Sequence, residues 1–446
     1  MEPTESAGMW WLPETPEAKV PGVLKIDERG SANLELIGCF KDMFAAPTSA
    51  GKPTPLTSSA LAKAGNYGRI CGQSGTDAYT LDSCHRGRLS SALFNGIASE
   101  EVRVGRVYKG LWLDRDESAS FDQADVRLQW LPFWLMESAI DENWTWEGEG
   151  SARTHKMQIN VKGLASRSCR PWKGWTVSLN HSAGLRGDSV TGRSVSQEYY
   201  FTARTTQPEQ VERLLNVLSD VQTLVAFGVN RTVGIERMTL RHPDVHPPDR
   251  PQRRYRTPID FVVPWSYRDT DTAKRLTDHD MAFTFPQIGG MAGVRKFLHA
   301  ATKHRSSLTR VIASSMAKDM FVSDQLLHRA ASLEAFDRVR TNTRKKKIDF
   351  KDRLKSSVAY VGSPFTTLVR DTEKWATRIT KERNDAAHTL GLGSDAADQY
   401  FLARSLYWLY VLSILREANT PKAAFVHIGR NPEFEYVAER LTAMGY

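Results

Sequence analysis

The chain is 446 residues long, with 41% hydrophobic and 25% charged residues, the balance of a folded water-soluble protein with room for two or three domains. No apolar run is long enough to span a bilayer, and the four cysteines, Cys39, Cys71, Cys84 and Cys169, form no C-x-x-C pair, which argues against a disulfide framework or a zinc ribbon. The formal charge of +9 is uneven: residues 1–290 carry −1 and residues 291–446 carry +10, so a polyanion is expected at the C-terminal part.

The opening Met1-Glu2-Pro3-Thr4-Glu5 is acidic and lacks a signal-peptide pattern, so a cytoplasmic location is expected. Short alternating runs bounded by Gly and Pro follow at residues 8–13, 20–26 and 32–38, and again at 103–108, 124–128, 176–179 and 197–202. Such runs predict strands, because a period of two gives one buried and one wet face. Ten of the twelve tryptophans precede residue 290. The expectation is a β-rich domain over residues 1–285, a sandwich or a partly open barrel. Trp130, Trp134, Trp144 and Trp146 stand beside Glu137, Asp141, Glu142, Glu147 and Glu149. Packing in the core or at a domain interface is expected of these rings, with sugar or peptide binding as the alternative.

From Gln207 to Gly228 the apolar residues Val211, Leu214, Leu215, Leu218, Val221, Leu224 and Val225 fall on one helical face. The stretch 241–256 is rich in Pro and Arg and reads as an extended loop, by default a solvated connector, with Arg250, Arg253, Arg254 and Arg256 as candidates to touch RNA or an acidic partner. His242 and His246 are four apart, but Pro243 and Pro247 disfavour a helical metal pair.

Past residue 285 the period changes to that of helices. Leu326, Ala330, Leu333 and Phe336 mark one, Leu354, Val358 and Val361 another, and Leu402, Leu406, Leu409, Leu412 and Leu415 a long last one. A helical bundle over residues 286–446 is predicted, giving an α+β chain overall. Arg344-Lys345-Lys346-Lys347 forms a basic loop between two helices and is an RNA-contact candidate. Between them, Leu368, Trp375 and Ile379 lead into Lys381-Glu382-Arg383-Asn384-Asp385-Ala386-Ala387-His388, with Gly391 as the expected stop. Residues five apart are rotated by roughly 140° about a helix axis, so Arg383 and His388 do not stack, whereas Asn384 and His388 share a face. Arg383 continues the apolar stripe of Trp375 and Ile379. A charge there needs a partner from a neighbouring helix, a second subunit or a phosphate.

Arg383-Asn384-Asp385 followed by His388 resembles the R-x(4–6)-H motif of HEPN ribonucleases. The opening order of Gly8, Trp10, Leu12 and Pro13, then Val20, Pro21, Gly22 and Leu24, then Leu34, Leu36 and Gly38, resembles the N-terminal domain of ApeA-type proteins. Those are bacterial anti-phage defence proteins that join such a domain to a C-terminal HEPN domain. The resemblance implies a homodimer or higher homo-oligomer with two motifs facing one composite site, and cleavage of host RNA such as tRNA after phage infection; the N-terminal domain is expected to sense a trigger, such as a phage-derived one, or to restrain the nuclease.

The chemistry needs no cofactor or metal. RNA carries its own nucleophile, the 2′-hydroxyl, and alignment with the adjacent phosphorus leaves the enzyme to move protons and offset charge. His388 is the candidate general acid/base, its ordinary pKa of about 6.5 suiting that work. Arg383 is the phosphate clamp, Asn384 would orient His388 or a ribose, Asp385 would position Arg383 or His388, and Lys381 would touch RNA. The expected products are a 2′,3′-cyclic phosphate and a 5′-hydroxyl. Two rival expectations are an inactive HEPN bundle that only holds RNA or a nucleotide, and a carbohydrate- or protein-recognition protein acting through its β-rich part.

Overall fold

The computed structural model describes residues 3–40, 65–90, 98–147, 154–188, 190–246, 256–264, 276–317, 320–343, 347–388 and 395–446. It is an α+β protein. Its contacts divide the chain into two compact units that no single cut separates. The first comprises Met1–Leu128, Thr202–Leu215 and Gly234–Arg268, and the second Gln129–Phe201, Asn216–Val233 and Asp269–Tyr446. The sequence boundary at 285 falls inside the second unit.

The first unit opens with β1 (Thr4–Trp11), β2 (Val20–Ile26) and β3 (Ala32–Ile37), an antiparallel meander in which Gly8 lies opposite Gly22. Then come β4 (Asn66–Ser74), β5 (Asp77–Ser90), β6 (Ser99–Val104), β7 (Arg106–Lys109) and β8 (Ser120–Leu128). The order β5-β4-β1-β2-β3-β6 closes on itself because β6 also pairs with β5, giving a six-stranded barrel. Strand β5 is long enough to serve two sheets. Its second half closes the barrel on β6, while Tyr79–Asp82 pair with β7 and lead out to further strands.

The residues that carried the N-terminal resemblance are mostly the barrel's lining. Trp10, Leu12, Leu24, Leu34 and Leu36 are buried together with Ile70, Leu81 and Val102. The Trp10 indole donates to the Gly22 carbonyl at 3.1 Å. A Cβ on Gly72 would strike the Trp10 ring at 2.1 Å, and one on Gly8 the Gln73 carbonyl at 2.3 Å, so both positions need a residue without a side chain. Inside the wall, the buried Glu100 carboxylate accepts from Arg86 at 2.6 Å and from the Tyr67 hydroxyl. That satisfies a charge that would otherwise be costly there.

The second unit contributes α1 (Leu131–Leu135), the hairpin β9 (Ile140–Glu147) and β10 (Thr154–Val161), and β11 (Arg167–Cys169) with β12 (Trp175–Asp188). Of the two expected places, core and domain interface, the core holds Trp130 and Trp134, which are buried, but not Trp144 and Trp146, which are 49% and 60% exposed. The reason is local. The hairpin forms its own two-stranded sheet, whose Trp144–Met157 pairing leaves an apolar face in solvent.

The next elements are β13 (Gly192–Gln210), α2 (Val211–Val229), β14 (Ile235–Arg241) and β15 (Ile259–Val262). In the first unit, β14 pairs with β8 and with β15, and β15 pairs with β7. Of the arginines that are candidates to touch RNA or an acidic partner, Arg250, Arg253 and Arg254 lie outside the described residues. Arg256 instead pairs with Asp122 and donates to Gln123 within the first unit.

The remainder of the second unit is helical: α3 (Gly290–Lys303), α4 (Arg305–Met316), α5 (Val322–Arg340), α6 (Phe350–Val361), α7 (Ser363–Thr366), α8 (Thr372–His388), α9 (Ala396–Glu417), α10 (Lys422–Ile428) and α11 (Pro432–Ala443). The periodic stripes read from sequence become α5, α6, α8 and α9. Helix α5 packs against α4, α6, α8 and α9, so its flanks are almost fully used. Helix α9 is buried nearly all round, with Trp408, Leu409, Tyr410 and Leu412 all inaccessible, which makes it the helix the others surround.

Candidate functional site

Helix α8 begins beside Asp371, whose carboxylate accepts the Lys374 backbone N–H at 2.9 Å, and it ends at His388. Trp375, Ala376 and Ile379 are fully buried, and the Trp375 indole donates to Ser405 of α9 at 2.9 Å. One turn on, the stripe meets two charged residues side by side. The expectation placed Arg383 on that stripe, but the buried member is Glu382. Its carboxylate is held by Arg378 at 2.9 Å and by the Gln399 amide at 3.0 Å. Arg383 lies at the edge, its side chain about one-third exposed.

The partner required by Arg383 comes from neighbouring helices. Its Nη2 is 2.9 Å from Glu334 Oε2 on α5, and its guanidinium sits 4.4 Å above the ring of Phe350, the first residue of α6. Glu334 also receives Arg338 at 2.6 Å. One turn along α5, the buried Asp337 accepts from Arg340 at 2.6 Å, from Arg353 at 3.1 Å and from Ser356 at 2.9 Å. Four guanidiniums thus converge on two carboxylates where α5, α6 and α8 meet. Arg353 is buried, whereas Arg338 and Arg383 are partly exposed and share the single carboxylate of Glu334, an excess of donors that suits a phosphate-bearing ligand. Across the start of α8, Lys351 and Lys355 of α6 both reach Glu373 and hold its carboxyl down to about 2.

The structure therefore gathers Arg383, Asn384, Asp385, Lys381 and His388 on the last two turns of one helix. Lys381 and Asn384 are exposed, Asp385 is half-buried, and Lys347 is exposed just before α6. Arg344, Lys345 and Lys346 of the basic loop lie outside the described residues. Glu334, Phe350 and Asp337 were missed in the sequence. The i,i+4 spacing of Glu334 and Arg338 signalled one pair, but nothing local points from Glu334 to an arginine 49 positions later. Among the described residues no cluster of His, Cys, Asp and Glu is arranged to hold a metal ion. No described helix is long and apolar enough to cross a membrane.

Neither a curated protein nor a solved structure matches the sequence. A family model described as ApeA N-terminal domain 1 matches residues 5–293, well over half of the chain, and it takes in the barrel strands, all but Thr4 of β1, and the strands that extend them. By that match, the chain belongs to the ApeA N-terminal domain family.

Proposed function

We propose that this protein is a metal-independent HEPN-type endoribonuclease that cleaves host RNA, tRNA being the expected class, in anti-phage defence. Family membership fits the defence role. The observation that carries the nuclease reading is the end of α8, where Arg383 is held by Glu334 and Phe350 five residues before His388.

In this reading an RNA phosphate competes with Glu334 for the Arg383 fork, and Arg338 remains to neutralise Glu334. The fork then offsets charge developing on the phosphate oxygens as the 2′-hydroxyl attacks. His388 takes or gives the proton, with Asn384 on the same helical face to orient it. One motif supplies one such group, so a second copy of the chain completes acid and base in a composite site. The charge excess of the C-terminal part draws RNA to it. The N-terminal domain senses a trigger or restrains cleavage. A recognition role through the Trp144 and Trp146 face is the second reading, favoured by the exposure of those rings.

The test is incubation of the purified chain with total tRNA in excess EDTA, followed by mapping of the ends. The reading expects undiminished cleavage and 2′,3′-cyclic phosphate ends. Loss of cleavage under EDTA, or 3′-hydroxyl ends, contradicts it.

A further inference from the structure

The barrel of the first unit has an open mouth, and its origin is topological. Because β5 pairs with β6 over one half and β7 over the other, the sheet leaves the barrel wall at Tyr79–Asp82 and continues through β15 and β14 to β8. The wedge between that outgoing sheet and β1 is a cavity of about 640 Å³, within the size range of binding sites, and barrel mouths are a common place for them. Its floor is the top of the barrel core, formed by Ile26, Val107 and Val262, all buried. The Ser6 and Tyr79 hydroxyls meet at 3.1 Å on the wall.

The rim is charged and built. Arg237 stands opposite Arg127 in the β8–β14 register, an unfavourable pairing of like charges in itself. Each is held by a carboxylate: Arg127 by Glu236 at 2.6 Å and Arg237 by Asp260 at 2.9 Å. Lys109, opposite Asp260 on β7, pairs with Asp77 at 2.8 Å. An irregularity between Ile235 and Arg237 interrupts the β14 register, and both Glu236 and Arg237 line the cavity, as a bulge that re-aims a side chain allows.

The remaining border is a strand edge. Strand β1 pairs with β2 from Thr4 to Trp10 but with β4 only over Met9–Trp11. The Ala7 carbonyl, which accepts from Ser74 at 2.7 Å, shows that odd residues direct their backbone groups to the β4 side. The N–H and C=O of Glu5 therefore face an edge that no described strand occupies, beside the cavity-lining Thr4 and Ser6.

We propose that this mouth binds an extended peptide segment of a protein partner, added along the open edge of β1 through its backbone, with an apolar side chain seated on the floor and the rim left in its own ion pairs. The balance of rim charges favours a peptide over a small anion. Every rim cation already has a carboxylate, so an anion would have to displace one, whereas a peptide backbone supplies the alternating donors and acceptors that an open edge lacks. The proposal does not depend on the nuclease reading.

The experiment is selection of a displayed random nonapeptide library on the full-length chain. A synthetic copy of the enriched sequence is then titrated by fluorescence anisotropy against the wild type and three variants. Glu5→Pro removes the edge donor and leaves the β1–β2 ladder, which uses the other side of the strand. Glu5→Ala keeps the donor. Thr4→Trp plugs the mouth from an exposed position. The expected result is apolar residues at every second position among the selected peptides, at least tenfold weaker binding to Glu5→Pro and Thr4→Trp, and unchanged binding to Glu5→Ala. If Glu5→Pro melts early, Thr4→Trp alone decides. Failure to enrich any sequence, binding indifferent to Thr4→Trp, or displacement of the peptide by millimolar inorganic phosphate overturns the proposal.

Discussion

Replacing Arg383 by Ala separates a clamp from a structural arginine by magnitude. The substitution removes an ion pair with Glu334 whose side chains are 32% and 16% exposed, worth about 0.5–1 kcal/mol for a partly exposed pair. It also removes the guanidinium from the Phe350 ring, worth about 1 kcal/mol. Glu334 keeps Arg338 at 2.6 Å, so no buried carboxylate is orphaned. The folding cost is then about 1–2 kcal/mol, a fall in Tm of a few degrees. Loss of a fixed donor to the transition-state phosphate would instead lower kcat by roughly 10²–10³. Arg383→Lys keeps a charge near Glu334 but not the two-pronged donor, so it should recover most of the Tm and little of the cleavage. Thermal melting and single-turnover cleavage of tRNA, measured well below Tm, provide both numbers. If either variant cleaves at the wild-type rate, or if activity falls only in step with the folded fraction, Arg383 is a structural residue and the reasoning fails.

Two further outcomes follow from the same structure. His304 is buried against Phe336, 3.6 Å from Glu417 and near Lys303 and Arg340, and burial lowers its pKa to about 4. The unfolded chain therefore binds this proton from about pH 6.5 downward and the folded chain does not, so stability should fall by up to ~3 kcal/mol between pH 6.5 and 4. Asp220, raised to about 6 by burial despite Arg305, titrates in that window with the opposite sign. The readout is thus the difference between wild type and His304→Leu, which should shrink as pH falls; a difference independent of pH contradicts the assignment. RNA binding by the full chain should weaken steeply with salt, and Lys347→Glu should lower both affinity and the salt slope, as filter binding from 50 to 200 mM salt would show. A flat salt response would refute a phosphate-dominated interface.

Much of this architecture was readable where structure is local. The alternating runs at residues 8–13, 20–26 and 32–38 became three adjacent barrel strands because a strand's period decides its inner face. The stripes at Leu326, Leu354, Trp375 and Leu402 became packed helices for the same reason. What was not readable depends on pairing across long separations. Closure of the barrel rests on one strand, β5, sharing its two halves between β6 and β7. The interleaving of the two units rests on contacts between segments far apart in the chain. At the site, Arg383 and Glu382 are neighbours that periodicity alone could not rank. Gln399 and Arg378 stabilise Glu382 inside, while Glu334 draws Arg383 to the edge. Trp144 and Trp146 have the composition of core, but among the described residues their hairpin pairs with no other strand.

The most direct test of the nuclease account is His388→Ala. The substitution leaves Arg383, its Glu334 and Phe350 contacts and the basic surface in place, while removing the proposed proton carrier at the end of α8. Purified wild type and variant are incubated with total tRNA and resolved on a denaturing gel, with RNA binding and Tm measured in parallel. The account predicts that the variant folds and binds RNA like the wild type and yields no cleavage products. Cleavage by His388→Ala at the wild-type rate would contradict it.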